Sequence, residues 1–257
     1  MNISSLLVAY GLVLIALAIS WAHRLGLEKD VLWSSLRATV QLLVMGYLLQ
    51  WIFSIREAWG YFVILTLMAG IAALISGNRG RAVPRSHPIA FAGIALGSVV
   101  TFAVLYAAGV IRPEVNYIIP IGGMIIGNAM NASSLCFNRL IGEMSHQRRR
   151  IETLLALGAD ARQAARAAVR QTVRSAMIPT IDSMKTIGLV HLPGIMTGFL
   201  IAGGSPLEAV KFQLAVVYMI AGAAGIAVAL VSLLASRQCF TRDLQLLPHL
   251  RPGLEGA

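Results

Sequence analysis

The chain carries little charge. Of its 257 residues, only 12% are Asp, Glu, Lys or Arg, against about 25% in an ordinary soluble domain. Hydrophobic residues make up 57% and the mean hydropathy is +0.75. A soluble core cannot hide that much apolar surface, and several windows run to about 18 or more apolar residues, the signature of a membrane span. Cysteine is nearly absent: Cys136 and Cys239 stand alone without metal-ligand spacing and read as two free or buried thiols. The GxxxxGK[ST] pattern is missing, which excludes ATP binding in the P-loop manner. No HxH pair, cysteine pair or carboxylate cluster falls inside the apolar runs, and no Ser–His or paired-Asp arrangement supports an intramembrane enzyme. No basic segment precedes the first apolar run and no small-residue cleavage site follows it, so that run is expected to be a retained span rather than a signal peptide.

The net charge of +10 does not point to nucleic acid, because the basic residues sit between apolar segments, where they meet anionic lipid. The expected class is an all-α, multi-pass membrane protein with about seven spans. These run over 6–21, 32–53, 59–76, 89–110, 115–137, 187–202 and 209–235. Short loops at His23–Asp30, Arg56–Glu57, Gly77–Arg85 and Arg112–Glu114 separate the first five. Arg37 and Gln41 share a face of the second span. Arg37 is placed either to snorkel to the headgroups or to meet a polar interior, Glu28 or Asp30. Counting Arg37 with the first loop, eighteen Lys and Arg residues fall in the loops after spans one, three and five and in the C-terminal tail, against Arg56, Arg112 and Lys211 on the other side. That asymmetry puts the first group in the cytoplasm, with the N-terminus outside and the C-terminus inside. Span six is short and broken by His191, Pro193 and Gly194, and a re-entrant element there is the alternative. The whole of 1–257 is read as one permease domain, with 138–186 as a cytoplasmic region within it.

That region holds the one long stretch that is polar, basic and helical. A short helix over 151–157 ends at Gly158. Asp160 is placed to cap a second helix, expected over 161–177, with Gln163 completing a capping box. Arg162, Arg166, Arg170 and Arg174 recur every four residues along one stripe, and alanines cover much of the rest. Pinning to anionic lipid is one reading. A lipid anchor needs bulky apolar side chains beneath it, and alanines make a weak one. The helix–turn–helix is therefore read as a docking element for a cytoplasmic partner. A membrane domain with small outer loops, no nucleotide site and one shaped protrusion lacks its own power source, which a separate ATPase would supply.

The segments PIGGMIIGNAMNA (120–132), ETLLALGA (152–159) and IPTIDSMKTIGLVHLPGIMTG (178–198) resemble those of the UPF0014 (FetB / YbbM) permease family, and the likeness extends from about Leu27 to the end of span seven. The resemblance implies the membrane subunit of an ABC-type transporter of the inner (plasma) membrane, built from two permeases and two ATPase subunits. ATP and Mg would be held by the ATPase and no cofactor by this chain. Bacterial members of the family are described as iron exporters; plant relatives are connected with aluminium tolerance, with a nucleotide sugar as suggested cargo. Glu152–Gly158 also resembles the start of the E-A-A-x-x-x-G loop of ABC importers, although Thr153 and Leu154 replace its two alanines and the usual Ile-x-Leu-Pro does not follow at its distance. The expected coupling residues are Glu152, Leu155, Gly158, Asp160, Arg162 and Arg166.

For a cargo path inside the membrane the candidates are Asn128, Asn131, Met124, Met130, Met196 and His191, with Asp182 and Lys185 at the inner mouth. Each has a plainer role open to it. Methionine is a common packing filler, intramembrane amides also hold helices together, and a lone histidine is no metal site. Asp182 and Lys185 are one turn apart and are placed to pair. Glu114 and Glu208 lie at the outer ends, as an exit vestibule or as helix caps. An organic cargo, or a scaffold that recruits a cytoplasmic protein without transport, are the competing functions.

Overall fold

In the computed structural model the described residues are 3–24, 26–52, 58–110, 115–190, 192–241, 243 and 245–247. They form helices α1 (Ile3–Ala22), α2 (Glu28–Ile52), α3 (Ala58–Arg79), α4 (Ser86–Ala107), α5 (Val115–His146), α6 (Arg148–Ala156), α7 (Ala161–Thr186), α8 (Gly194–Ile201) and α9 (Pro206–Gln238). Five helical stretches are long and apolar enough to cross a membrane: Glu28–Leu48, Trp59–Arg79, Ser86–Ala107, Tyr117–His146 and Pro206–Gln238; Tyr10–Ala22 is a shorter apolar helix. The protein is an all-α, multi-pass membrane protein. The turns expected at Arg56–Glu57 and Arg112–Glu114, and His191, lie outside the described residues.

The chain divides into two compact units, 1–56 and 57–257. The first is the hairpin of α1 and α2. Ser20 Oγ donates to Glu28 Oε1 at 2.8 Å and accepts from the Leu27 amide at 3.3 Å, which closes the turn, and the hydroxyls of Tyr10 and Thr39 hydrogen-bond across the pair. Glu28, Lys29 and Asp30, expected in a loop, form the first turn of α2 instead, where Glu28 and Asp30 favour the positive end of the helix dipole. Arg37 is exposed and has neither Glu28 nor Asp30 as an ion-pair partner.

In the second unit α3, α4, α5, α7 and α9 pack around one core. Half of the buried residues in that core are alanines, among them Ala72, Ala90, Ala129, Ala168 and Ala227. Large apolar side chains such as Phe62, Leu67, Val99 and Val104 point outward. This is how helices associate in lipid: hydrocarbon already solvates leucine, so close backbone approach through small side chains is what holds the bundle. One close seam is between α4 and α9. A Cβ on Gly97 would lie 2.8 Å from the Ala223 carbonyl oxygen, and one on Gly93 would lie 2.7 Å from Val231 Cγ2. After α9 the chain folds back, with the Leu247 amide donating to the Cys239 carbonyl at 3.0 Å, and Leu246 is buried in the same core.

Two expectations are corrected here. The helix expected to end at Met177 continues through Pro179 to Thr186. The continuous span expected over 187–202 is not formed. Among its described residues only Gly194–Ile201 are helical, a rise of about 12 Å against a hydrocarbon core of about 30 Å. Gly188 at φ +79° and Pro193 in extended backbone break the helix before it. In this part of the chain α7 lies alongside α5 and α9, and the short α8 packs on α9. The Ala161–Arg174 portion of α7 shares a groove with Leu233–Arg237 of α9, and its 176–184 portion shares a cavity with Gln213–Ile220. The two helices therefore run antiparallel over a common depth.

Candidate functional site

The cavity between α5, α7 and α9 has a volume of about 390 Å³. Asn128 and Asn131 enter from α5, Thr180 and Ser183 from α7, and Gln213 from α9; Pro179, Leu135, Met184 and Ile220 supply much of the apolar wall. No ionisable side chain lines it. Asn128 Nδ2 donates to the Met124 carbonyl at 2.8 Å, so one of its two amide N–H groups is spent on its own helix and the other, with the Oδ1 acceptor, is left. Gln213 is 8% exposed, and its Oε1 has no hydrogen-bond partner. A buried carbonyl oxygen without a donor is costly, and in a cavity of this size a bound molecule with a donor or positive charge offsets that cost. Pro179 lacks an N–H, which leaves the Ser175 carbonyl without its helical donor on the same element.

Of the candidate path residues, the fold brings Asn128 and Asn131 together and adds Thr180, Ser183 and Gln213, which the sequence reading missed. A single amide inside the apolar run 209–235 was the available signal. Met130 packs against the main core and Met124 against a smaller cluster with Ile125, Val216 and Met219. Met196, half-buried on α8, does not line the cavity. Asp182 and Lys185 do pair, at 3.3 Å, but they are exposed and stand outside the cavity, away from the face that carries Pro179, Thr180 and Ser183. His191 lies outside the described residues. Among those described, no group of three His, Cys, Asp or Glu side chains is placed to hold a metal ion.

The second feature is the turn between α6 and α7. The Gly158 amide donates to Leu155 O and the Ala159 amide to Leu154 O, both at 3.0 Å. These two bonds are the Schellman closure of α6, and they require the left-handed φ of +91° that Gly158 adopts. Asp160 then caps α7. Its Oδ1 accepts from the Gln163 amide at 2.6 Å, while its own amide donates to Gln163 Oε1 at 3.1 Å. The capping box read from the sequence is present. Glu152 pairs with Arg148 at 2.8 Å, and Leu155 packs against the core. Between the helices Leu157 projects with 79% of its surface exposed. Arg162 and Arg166 follow this turn on the first turns of α7. They line a groove of about 960 Å³ with Arg150, Arg170, Arg174 and Arg237.

A spanning bundle with an internal polar cavity and a shaped turn at one end is the geometry of a permease. The family model described as "Uncharacterised protein family (UPF0014)" matches residues 3–240. The chain belongs to the UPF0014 family. It is 38% identical over 243 residues to the Escherichia coli (strain K12) protein named "Probable iron export permease protein FetB", covering 95% of this chain and 94% of that one. It is 40% identical to the rice "UPF0014 membrane protein STAR2", over 93% of this chain and 84% of the relative. It is 37% identical to the Arabidopsis thaliana "Protein ALUMINUM SENSITIVE 3", over 93% and 87%. No solved structure matches this UPF0014 chain. The first two of these relatives are named as a permease and a membrane protein, and none of the three is named as an enzyme; the chain is a membrane-embedded, permease-like protein.

Proposed function

We propose that the protein is the membrane subunit of an ABC-type exporter, working as a homodimer with a separate cytoplasmic ATPase and moving iron or a related metal out across the inner membrane. The observation that carries the reading is the continuity of α7. One helix begins at the exposed turn Leu157–Asp160 and ends at the polar cavity, spanning 26 residues, or about 39 Å. A partner that grips the turn would move the cavity wall through a single rod. The Glu152–Gly158 turn, with Leu157 as its apolar tip, is the docking element. ATP and Mg would be held by the partner, whose nucleotide state biases the cavity between inward and outward access.

The cavity offers amide and hydroxyl oxygens and no thiolate or imidazole. Such a set holds a hard or borderline cation weakly, which suits a cargo that must be released. The Escherichia coli relative's name supports iron as the first cargo to test. The uncharged lining favours a second reading, a hydroxyl-rich organic cargo whose donors meet the same oxygens.

The test is reconstitution of the chain with its ATPase in lipid vesicles, counting ferrous iron moved per ATP hydrolysed. Iron-stimulated hydrolysis with iron movement is expected. Hydrolysis indifferent to iron, with an organic solute moved instead, would replace the cargo and keep the architecture. Failure of any ATPase to co-purify, with or without Glu152–Gly158 intact, would leave a non-transporting scaffold.

A further inference from the structure

We infer that the arginine groove between α6, α7 and α9 binds the headgroup of an anionic phospholipid. Six guanidinium groups line it: Arg150 from α6, Arg162, Arg166, Arg170 and Arg174 from α7, and Arg237 from α9. No carboxylate lines it. The ion pairs among the described residues, Arg148–Glu152 and Lys185–Asp182, involve none of the six. Like charges gathered in one concavity raise its potential and draw in a counter-anion. Guanidinium is the side chain whose fork matches phosphate oxygens in pairs.

The position of the groove selects the source of that phosphate. Leu233, Ser236 and Arg237 are the last turns of α9, where a long apolar helix leaves the hydrocarbon for the headgroup layer. By the distribution of basic residues this is the cytoplasmic end, where anionic lipid is encountered. Leu154, Val169 and Leu233 also line the groove. It is therefore two-sided: cations for a headgroup, and an apolar wall for the start of an acyl chain. The alanine face of α7, too small to anchor in lipid, is turned inward through Ala164, Ala165 and Ala168. The helix does not float on the bilayer. It is packed into the bundle and presents its charged side to a lipid seated beside it. A free phosphate ion would use only the cations, and an acidic peptide would have no use for a wall set at the bilayer surface. The inference is independent of the cargo and of the ATPase.

The experiment uses the full chain, purified in neutral detergent and stripped of lipid. Its melting temperature is followed while phosphatidylglycerol, phosphatidylcholine with the same chains, or inorganic phosphate is added. Phosphatidylglycerol is expected to raise the melting temperature saturably and to be recovered with the protein, while the other two have little effect. Neutralising three arginines as R166Q/R170Q/R174Q is expected to weaken that response roughly a hundredfold. The change R79Q/R81Q/R85Q, at the end of α3 and in the loop that follows it, is expected to leave it intact. R166K/R170K/R174K keeps the charge and should retain most of the binding. Should the triple glutamine variant fail to fold, R162Q/R237Q alters two exposed members of the groove and is expected to weaken binding in the same direction. An equal response to phosphatidylcholine, an equal response to inorganic phosphate, or an equal loss in the loop variant would each overturn the inference.

Discussion

Replacing Gly97 by alanine tests whether backbone contact holds this bundle together. The added methyl would meet the Ala223 carbonyl oxygen at 2.8 Å and the Ala227 amide nitrogen at 3.4 Å. Ordinary van der Waals contact begins at 3.4 Å, so α4 and α9 must part by about 0.6 Å at this level. The obstacle is main chain and cannot rotate aside. One turn away Gly93 faces Val231 Cγ2 at 2.7 Å and the Ala227 carbonyl at 3.2 Å, so the seam has no slack there to absorb the shift. Overpacking of this kind costs about 1–3 kcal/mol, and the better helix propensity of alanine returns up to about 1 kcal/mol. The net loss is expected at about 1–2 kcal/mol. At a rate of about 2–4 °C per kcal/mol for chains of this length, thermal unfolding in detergent should shift down by several degrees. Gly142 lies on the far extension of α5, and a methyl added there would meet nothing within 4 Å. Only the propensity gain acts at that position, and Gly142→Ala should be neutral or stabilising. If Gly97→Ala matches Gly142→Ala in sign, the α4–α9 backbone seam does not hold the bundle as argued.

Four further outcomes are expected. Gln213→Leu removes a buried oxygen that has no partner, so it should leave stability unchanged or raise it by about 1 kcal/mol, while transport in vesicles falls at least tenfold; unchanged transport removes Gln213 from the path. Gly158→Val forces a branched side chain to φ +91°, which should cost about 1–2 kcal/mol and abolish co-purification of the ATPase, and binding that survives would deny the turn its docking role. The pair Gln171→Gly and Ser175→Gly softens α7 by roughly 1 kcal/mol at each position without touching the turn, so the ATPase should still bind while ATP hydrolysis and transport become uncoupled; full coupling would refute α7 as the lever. Burial raises the Cys239 thiol from its usual 9.0 to about 12. The folded chain should therefore resist thiol-directed maleimide up to about pH 9 and react only after unfolding. Above about pH 9 the unfolded chain ionises this thiol while the folded chain still holds its proton. The contribution of Cys239 to stability is therefore present below pH 9 and declines from there towards 12, readable as a falling melting temperature that Cys239→Ala makes shallower.

Whatever rests on composition or on neighbours in the chain was legible from the residues alone. Apolar runs long enough to span a bilayer can be read directly because the backbone of a lipid-exposed segment must satisfy its hydrogen bonds internally, as a helix. The turn at Gly158 and the cap at Asp160 can be read because their hydrogen bonds join residues only three to five positions apart. Packing between distant helices settled the rest. Pro179 signals a helix end, since an interior proline costs about 3 kcal/mol, yet α7 runs past it while packed along α5 and α9. That continuation sets a long helix beside α9, where the broken run at 187–202 contributes only the short α8. Packing also decided which polar residues meet. Asn128, Thr180, Ser183 and Gln213 come from three helices far apart in sequence, while Asp182 and Lys185, one position to either side of the cavity face, are turned out of it. A helix rotates its side chains by about 100° per residue, so only the packed bundle gave each polar residue its direction, and for Thr180 and Ser183, read from the sequence as part of a cytoplasmic region, it also gave the level at which they meet α9.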